Sequence, residues 1–157
     1  MKEIINIALL IIFGVLYLTS FTKIQSMYFN KIWKVRSNAI TILYLGSILS
    51  AGIVLIDISK SMNDAYSYFY DQDQFVNALF FLFLYFIGAW VFSLGLFHSS
   101  FILVSIITKE NEQNELSNNN SELALVHAAI IILLSLVVAP TLAQLASSFI
   151  PYPELPF

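Results

Sequence analysis

Long apolar stretches alternate with short polar connections along this chain. The apolar stretches cover about residues 4–21, 39–58, 75–108 and 123–150. The polar connections between them are 22–37, 59–74 and 109–122. A helix needs about 20 apolar residues to cross the hydrocarbon core of a bilayer, which is about 30 Å thick. The pattern therefore predicts an all-α integral membrane bundle of four transmembrane helices, surrounded by lipid.

The composition agrees with this prediction. Hydrophobic residues make up 59% of the chain and charged residues 11%, whereas about 25% of a typical soluble domain is charged. Over 157 residues we expect a single integral membrane domain, covering 1–157. The chain has no Cys, which excludes disulfides and thiolate metal sites.

Basic residues lie mainly in two of the polar connections. The first connection holds Lys23, Lys31, Lys34 and Arg36. The third holds Lys109, and the second holds only Lys60. Asp57, at the end of the second span near Lys60, is interpreted as a solvated helix end. Because Lys and Arg in short loops stay in the cytoplasm, we expect the first and third connections there. Both termini and an acidic outer loop, 59–74, are then outside the cytoplasm.

The first connection has the pattern of a short helix lying in the membrane interface. With a period of 3.6 residues, one face holds Ile24, Tyr28, Ile32 and Val35. The lysines lie on the opposite face, where they would meet anionic lipid. The residues predicted to contact lipid head groups are Lys23, Lys31, Trp33, Lys34 and Arg36. Ordinary interfacial anchoring by these side chains is the alternative.

The chain reads as two similar helical hairpins, at about 1–58 and 75–150. In each one a Thr-Lys pair opens the connection, and a Ser suited to capping a helix opens the second span. These residues are Thr22 and Ser37 in the first hairpin, with Asn38 as the alternative cap, and Thr108 and Ser121 in the second. Two spans per repeat preserve orientation, so we expect parallel repeats related by an axis along the membrane normal. Chance resemblance between apolar helices is the alternative.

Small residues recur at helical spacing in the second and fourth spans. They are Gly46, Ser50, Ser135, Ala139, Ala143 and Ser147. Small residues let membrane helices approach closely, so these positions predict helix packing, either inside the bundle or between subunits. Pro140 lies inside the fourth span and removes a helical hydrogen bond. It predicts a kink there, with a freed carbonyl facing a cavity as the sharper alternative.

Two histidines fall within the predicted spans, where ionisable groups are costly. At a rise of about 1.5 Å per residue, His98 and His127 lie at similar depths, so their imidazoles can meet. The pair is a candidate proton relay or pH sensor. The alternative is two neutral side chains hydrogen-bonded to Ser99, Ser100 or the backbone. We expect no metal and no cofactor, because two His ligands without a carboxylate make a poor metal site.

The start of the second span suggests a family. Ser37-Asn38-Ala39 precedes a small-residue segment from Gly46 to Gly52. Together with the two-hairpin layout, this resembles the bacterial domain-of-unknown-function family 350, the YjfL-like inner-membrane proteins. The resemblance implies a multi-pass protein of the bacterial inner membrane and no catalytic residues.

The sequence contains none of the common catalytic motifs, and its basic residues are too few for a nucleic-acid surface. We therefore expect a non-enzymatic component of the cell envelope, an assembly or scaffold protein. It would form a homo-oligomer or bind a membrane-protein partner. The alternative is a small oligomeric channel or proton-linked transporter that uses His98 and His127.

Overall fold

The computed structural model describes residues 2–32, 37–109 and 112–150, with side chains described in 4–27, 37–109 and 114–150. These residues form α1 (Lys2–Ile32), α2 (Asn38–Asp71), α3 (Phe75–Thr108), α4 (Glu112–Ser117) and α5 (Ser121–Ser148). The helices α1, α2, α3 and α5 are long and apolar enough to cross a membrane. The prediction of an all-α, four-span bundle is confirmed, and the chain is a multi-pass membrane protein.

The bundle has two distinct ends. We call one the α4 end, where α1 and α3 finish and α2 and α5 begin. We call the other the hairpin end, because the short turn between α2 and α3 lies there. The helices α2 and α5 run in the same direction, as parallel hairpin repeats require. They pack on each other along most of their length, with α3 against both of them.

The helix α1 packs on the outside of this group, against α2 and, less extensively, α3. Two polar contacts hold its first half: Asn6 Nδ2 donates to Asn63 Oδ1 on α2, and Tyr17 Oη lies 2.5 Å from Ser93 Oγ on α3. Nearer the α4 end, Tyr44 Oη donates to the Thr22 carbonyl at 3.3 Å. Most large side chains on the outward faces of the membrane-spanning parts of these helices are apolar, as a lipid environment requires.

The helices begin at side-chain caps. Ser37 Oγ accepts from Ile40 N at 3.2 Å, which confirms the predicted cap of α2. The predicted cap at Ser121 is wrong, because Asn120 Oδ1 accepts from Leu123 N at 3.0 Å instead. The preceding Asn119 takes the left-handed conformation, with φ 64°, which Asn tolerates better than most residues. The tight turn places the Asn120 amide beside the free N–H groups of α5.

The predictions for the first two polar connections are wrong. The outer loop 59–74 is helical through Asp71, so only 72–74 separate α2 from α3. The interfacial helix predicted in 22–37 is a continuation of α1 as far as Ile32. Hydropathy falls after Ile58, but buried residues continue at helical spacing at Ser61, Ala65 and Phe69. Packing against α3 and α5 thus maintains the helix where lipid contact no longer does.

Candidate functional site

The small-residue positions lie where α2 packs on α5. Gly46 is buried, and a Cβ placed on it would lie 2.5 Å from Ala128 Cβ and 2.9 Å from Ala128 Cα. Only glycine permits this separation, because no real Cβ comes so close to a backbone atom. Ser50, Ser135 and Ala139 are buried as well, at 2%, 0% and 1% exposure. These contacts favour packing within the chain over the alternative of a subunit interface.

The remaining small residues of α5, Ala143 and Ser147, lie at the hairpin end and form a stripe with Ser135 and Ala139. Ser61 Oγ on α2 donates to the Ala143 carbonyl at 2.8 Å. Ser147 Oγ in turn donates to Ser61 Oγ at 2.9 Å. The predicted packing residues Ala143 and Ser147 therefore also lie against α2, through hydroxyl groups rather than direct backbone contact.

His127 is wholly buried in the α4 half of the bundle, at 0% exposure. Its Nε2 lies 2.7 Å from Ser100 Oγ on α3, and its ring packs edge-on against Phe101, with centroids 4.1 Å apart. Ser100 Oγ donates to the Phe97 carbonyl at 2.6 Å. Because a hydroxyl has one proton, this arrangement suits an imidazole that donates from Nε2.

His98 occupies different surroundings. It lies on the exposed face of α3, with its ring 5.7 Å from that of Phe97. His127 has the bond to Ser100 that the structural alternative expects, while a relay between the two histidines stays a prediction. Among the residues that the structure describes, no group of three or more His, Asp or Glu is placed to hold a metal ion.

A polar groove of about 390 Å³ opens between α2 and α5 at the hairpin end. Its polar lining consists of Asp57, Lys60, Ser61, Gln144 and Ser147, with Pro140 at one side. Lys60 Nζ lies 3.3 Å from Asp57 Oδ1, with side chains 74% and 20% exposed. Asp57 is thus largely covered, which corrects its interpretation as a solvated helix end.

Pro140 lies inside α5, which is continuously helical from Ser121 to Ser148. It is exposed and lines the polar groove. The carbonyl that Pro140 leaves without its helical donor is that of Leu136, one turn earlier, and Leu136 is not among the residues that line the groove. A freed carbonyl facing a cavity therefore stays a prediction. The kink itself stays a prediction.

The helices α2 and α3 project beyond the end of α5 as a two-helix hairpin. Tyr85 Oη donates to the Ala146 carbonyl at 2.7 Å, near the end of α5. The helix α3 begins at Phe75, about ten residues or 15 Å before that contact at 1.5 Å per residue. Inside the projection the rings of Phe69 and Phe81 stack with centroids 4.7 Å apart.

The two sides of this projection differ in character. The α3 side exposes a row of apolar residues that we call the hairpin edge. It consists of Phe75, Val76, Phe80 and Phe83, with 45%, 78%, 61% and 54% exposure. The α2 side exposes Asn63, Asp64 and Asp71. The length of the third span, 75–108, allowed it to project from the membrane, but sequence reasoning assigned 59–74 to a loop and therefore missed the α2 half of the projection.

The predicted lipid-contact residues are described only in part. Lys23 is exposed on α1, and Lys31 lies in the last turn of that helix. Trp33, Lys34 and Arg36 lie outside the described residues. Head-group contact by this group stays a prediction.

Comparison with protein-family models, with curated proteins and with solved structures found no match. The resemblance to family 350 therefore stays a prediction, and inference about function rests on the geometry of the bundle.

Proposed function

We propose that this chain is a non-enzymatic assembly component of the bacterial inner membrane that self-associates through the hairpin edge. The supporting observation is the length of the exposed apolar surface on α3. Exposed apolar residues run from Phe75 to Ile107, about 48 Å at 1.5 Å per residue. The hydrocarbon core of a bilayer is about 30 Å thick.

Tilting does not remove this excess. Placing the whole surface in hydrocarbon requires a tilt of about 50°, outside the range of about 0–40° found for transmembrane helices. At the hairpin end the neighbouring helix α2 exposes Asp64 and Asp71, which require water. The hairpin edge is thus the part of the α3 surface that extends beyond the hydrocarbon, and an apolar patch there favours protein contact.

A second copy of the chain suits this surface. The hairpin edge carries aromatic and aliphatic side chains and no charge, so it can pack against itself about a two-fold axis without like-charge repulsion. Aromatic residues are enriched at protein interfaces. The small-residue stripes are occupied inside the bundle, so the hairpin edge is the better candidate for assembly.

The basic residues of the first connection support an orientation with both termini outside the cytoplasm. The hairpin end then also lies outside, and the proposed contact forms at the outer surface of the inner membrane. The resemblance to family 350 supports the same location.

Disulfide cross-linking in native membranes tests the contact. Because the chain has no Cys, a single introduced cysteine is the only reactive thiol. We expect Phe80→Cys and Phe83→Cys to form covalent dimers under mild oxidation. Asp64→Cys, on the opposite side of the hairpin, and Leu133→Cys, on the lipid-facing surface of α5, are the matched controls and should stay monomeric. Monomers from all four variants, or equal dimer yields from all four, would contradict the proposal.

The mass of the gently extracted protein gives a second test. The wild-type chain should run as a homo-oligomer, and Phe80→Ser with Phe83→Ser should release monomers with unchanged helix content. A stable complex with a different chain would favour a membrane-protein partner instead.

A further inference from the structure

The polar groove between α2 and α5 has the chemistry of a lipid site. We infer that it binds the head group of a zwitterionic phospholipid that carries a primary ammonium, with the acyl chains lying along the adjacent faces of α2 and α5. This inference is independent of self-association, since the groove and the hairpin edge share no residues.

The groove presents both signs of charge a few ångströms apart. Lys60 approaches only Oδ1 of Asp57, and within the described part of the chain Asp57 Oδ2 has no hydrogen-bond partner. A ligand ammonium can therefore bind Oδ2 while Lys60 turns its own ammonium toward a phosphate. Charge-assisted hydrogen bonds of this kind are stronger than neutral ones.

Gln144 provides a further donor for the phosphate. Its side chain is exposed on α5 and lines the groove, and it has no hydrogen-bond partner among the described residues. The hydroxyls of Ser61 and Ser147 are already bonded across the helices. They fix the floor of the groove and leave Gln144 with Lys60 as the available donors.

The surface next to the groove suggests a lipid rather than a soluble molecule. Val137 and Leu133 lie one and two turns before Pro140 on the same face of α5, toward the α4 end. Their exposed fractions are 74% and 60%. On α2, Ile56 lies one turn before Lys60 and is 65% exposed. Residues three or four apart share a helix face, so the polar groove continues directly into an apolar surface. A phospholipid matches this order, with its head group in the groove and its chains below.

The carboxylate selects the type of head group. A primary ammonium has three N–H groups, one of which can donate to Asp57 Oδ2, whereas a choline group has none. An anionic head group without an amine leaves Asp57 uncompensated and meets like-charge repulsion. We therefore expect phosphatidylethanolamine to bind more tightly than phosphatidylcholine or phosphatidylglycerol.

Native mass spectrometry of the intact protein tests this order. Purified protein would be offered equal amounts of the three lipids, and retained adducts counted. We expect phosphatidylethanolamine to be retained about tenfold more than phosphatidylcholine, the effect of one hydrogen bond to a charged group. Asp57→Asn should abolish that preference, and Asp57→Glu should keep part of it. Lys60→Gln should lower retention of all three lipids.

The control is Asp64→Asn, which makes the same charge change on the same helix outside the groove and should retain the wild-type preference. Equal retention of the three lipids by the wild-type protein, or a preference that survives Asp57→Asn, would overturn the inference.

Glycerophosphoethanolamine, which has the same head group without acyl chains, distinguishes a membrane phospholipid from a soluble ligand. If it is retained as well as the lipid, a soluble ligand replaces the lipid assignment. If Val137→Ser lowers lipid retention while helix content is unchanged, the acyl-chain contact is supported.

Discussion

The α4 end and the hairpin end of this bundle are held together in different ways. At the α4 end, α2 and α5 touch through Gly46 and Ala128. Asn119 Oδ1, in the turn before α5, also accepts from Ala39 N at the start of α2 at 3.1 Å. At the hairpin end, hydroxyl bonds through Ser61 replace this backbone contact, and the helices leave a groove beside it.

The difference shows where a small membrane protein can offer binding surfaces. Lipid provides no hydrophobic drive for helix association, so close packing and hydrogen bonds hold the helices together. The α4 end uses its small residues for contact between α2 and α5, and its exposed polar residues, such as Asn38, Asn118 and Glu122, lie at the helix ends and turns. The hairpin end is joined more loosely, and both the polar groove and the hairpin edge lie there. We expect stability to depend mainly on the α4 end and binding on the hairpin end.

The largest effect on stability is expected at Gly46. The substitution Gly46→Ala puts a methyl group against the Cα and Cβ of Ala128, and a backbone atom cannot move aside as a side chain can. The helices α2 and α5 must separate locally, and we expect a loss of about 3 kcal/mol in the free energy of unfolding. Unfolding of the purified protein in mixed micelles by increasing denaturing detergent measures this loss.

Gly52→Ala is the matched control on the same helix. A Cβ at Gly52 has no atom within 4 Å, so this variant should gain stability by up to about 1 kcal/mol from the higher helix propensity of Ala. The double variant Gly46→Ala with Ala128→Gly should recover part of the loss. If Gly46→Ala and Gly52→Ala behave alike, the close approach at the α4 end does not hold the bundle.

An intermediate effect is expected at His127. Replacing this buried ring by Ala leaves a cavity beside Phe101 and removes the bond to Ser100, at a cost on the order of 2 kcal/mol. His98→Ala changes an exposed side chain and should stay within about 0.5 kcal/mol of the wild type. The same unfolding assay, run on both variants, separates the two histidines.

Proton flux into liposomes distinguishes a structural His127 from a relay. The structural assignment expects a stability loss in His127→Ala alone and no flux in the wild-type protein. A pH-dependent flux in the wild type that is lost in both His98→Ala and His127→Ala would instead establish the channel or transporter alternative. It would also place function at the α4 end, whereas we expect binding at the hairpin end.

Periodicity and hydropathy were sufficient for the four spans and for the cap at Ser37, because both depend on residues close together in sequence. The same signals predicted that the second helix ends near Ile58, because hydropathy detects the part of a helix that contacts lipid. The helix continues to Asp71 because Ala65 and Phe69 are buried by other helices. That burial comes from tertiary packing, which hydropathy along one segment does not register.

The candidate sites were harder to predict for a related reason. Gly46 and Ser50 could be identified as packing residues, but not the partner Ala128, because the pairing depends on the register between two helices. Ser61 and Ala143 are 82 residues apart in sequence. The polar groove between Asp57 and Gln144 depends on that same register. The sequence around Asp57 alone, or around Gln144 alone, has the pattern of an ordinary helix end.

The smallest effect on stability is expected at Ser61, which joins α2 to α5 at the hairpin end. Ser61→Ala removes the hydroxyl that joins α2 to α5, and hydrogen bonds between membrane helices contribute about 0.6 kcal/mol on average. Ser59→Ala removes a hydroxyl that bonds only within α2, to the Ile56 carbonyl at 2.7 Å, and is the matched control. We expect a loss near that average for Ser61→Ala and almost none for Ser59→Ala in the detergent unfolding assay. A loss as large as that of Gly46→Ala would mean that the hairpin end holds the bundle as firmly as the α4 end. The groove would then be a rigid feature of the core rather than an opening in a loosely joined end.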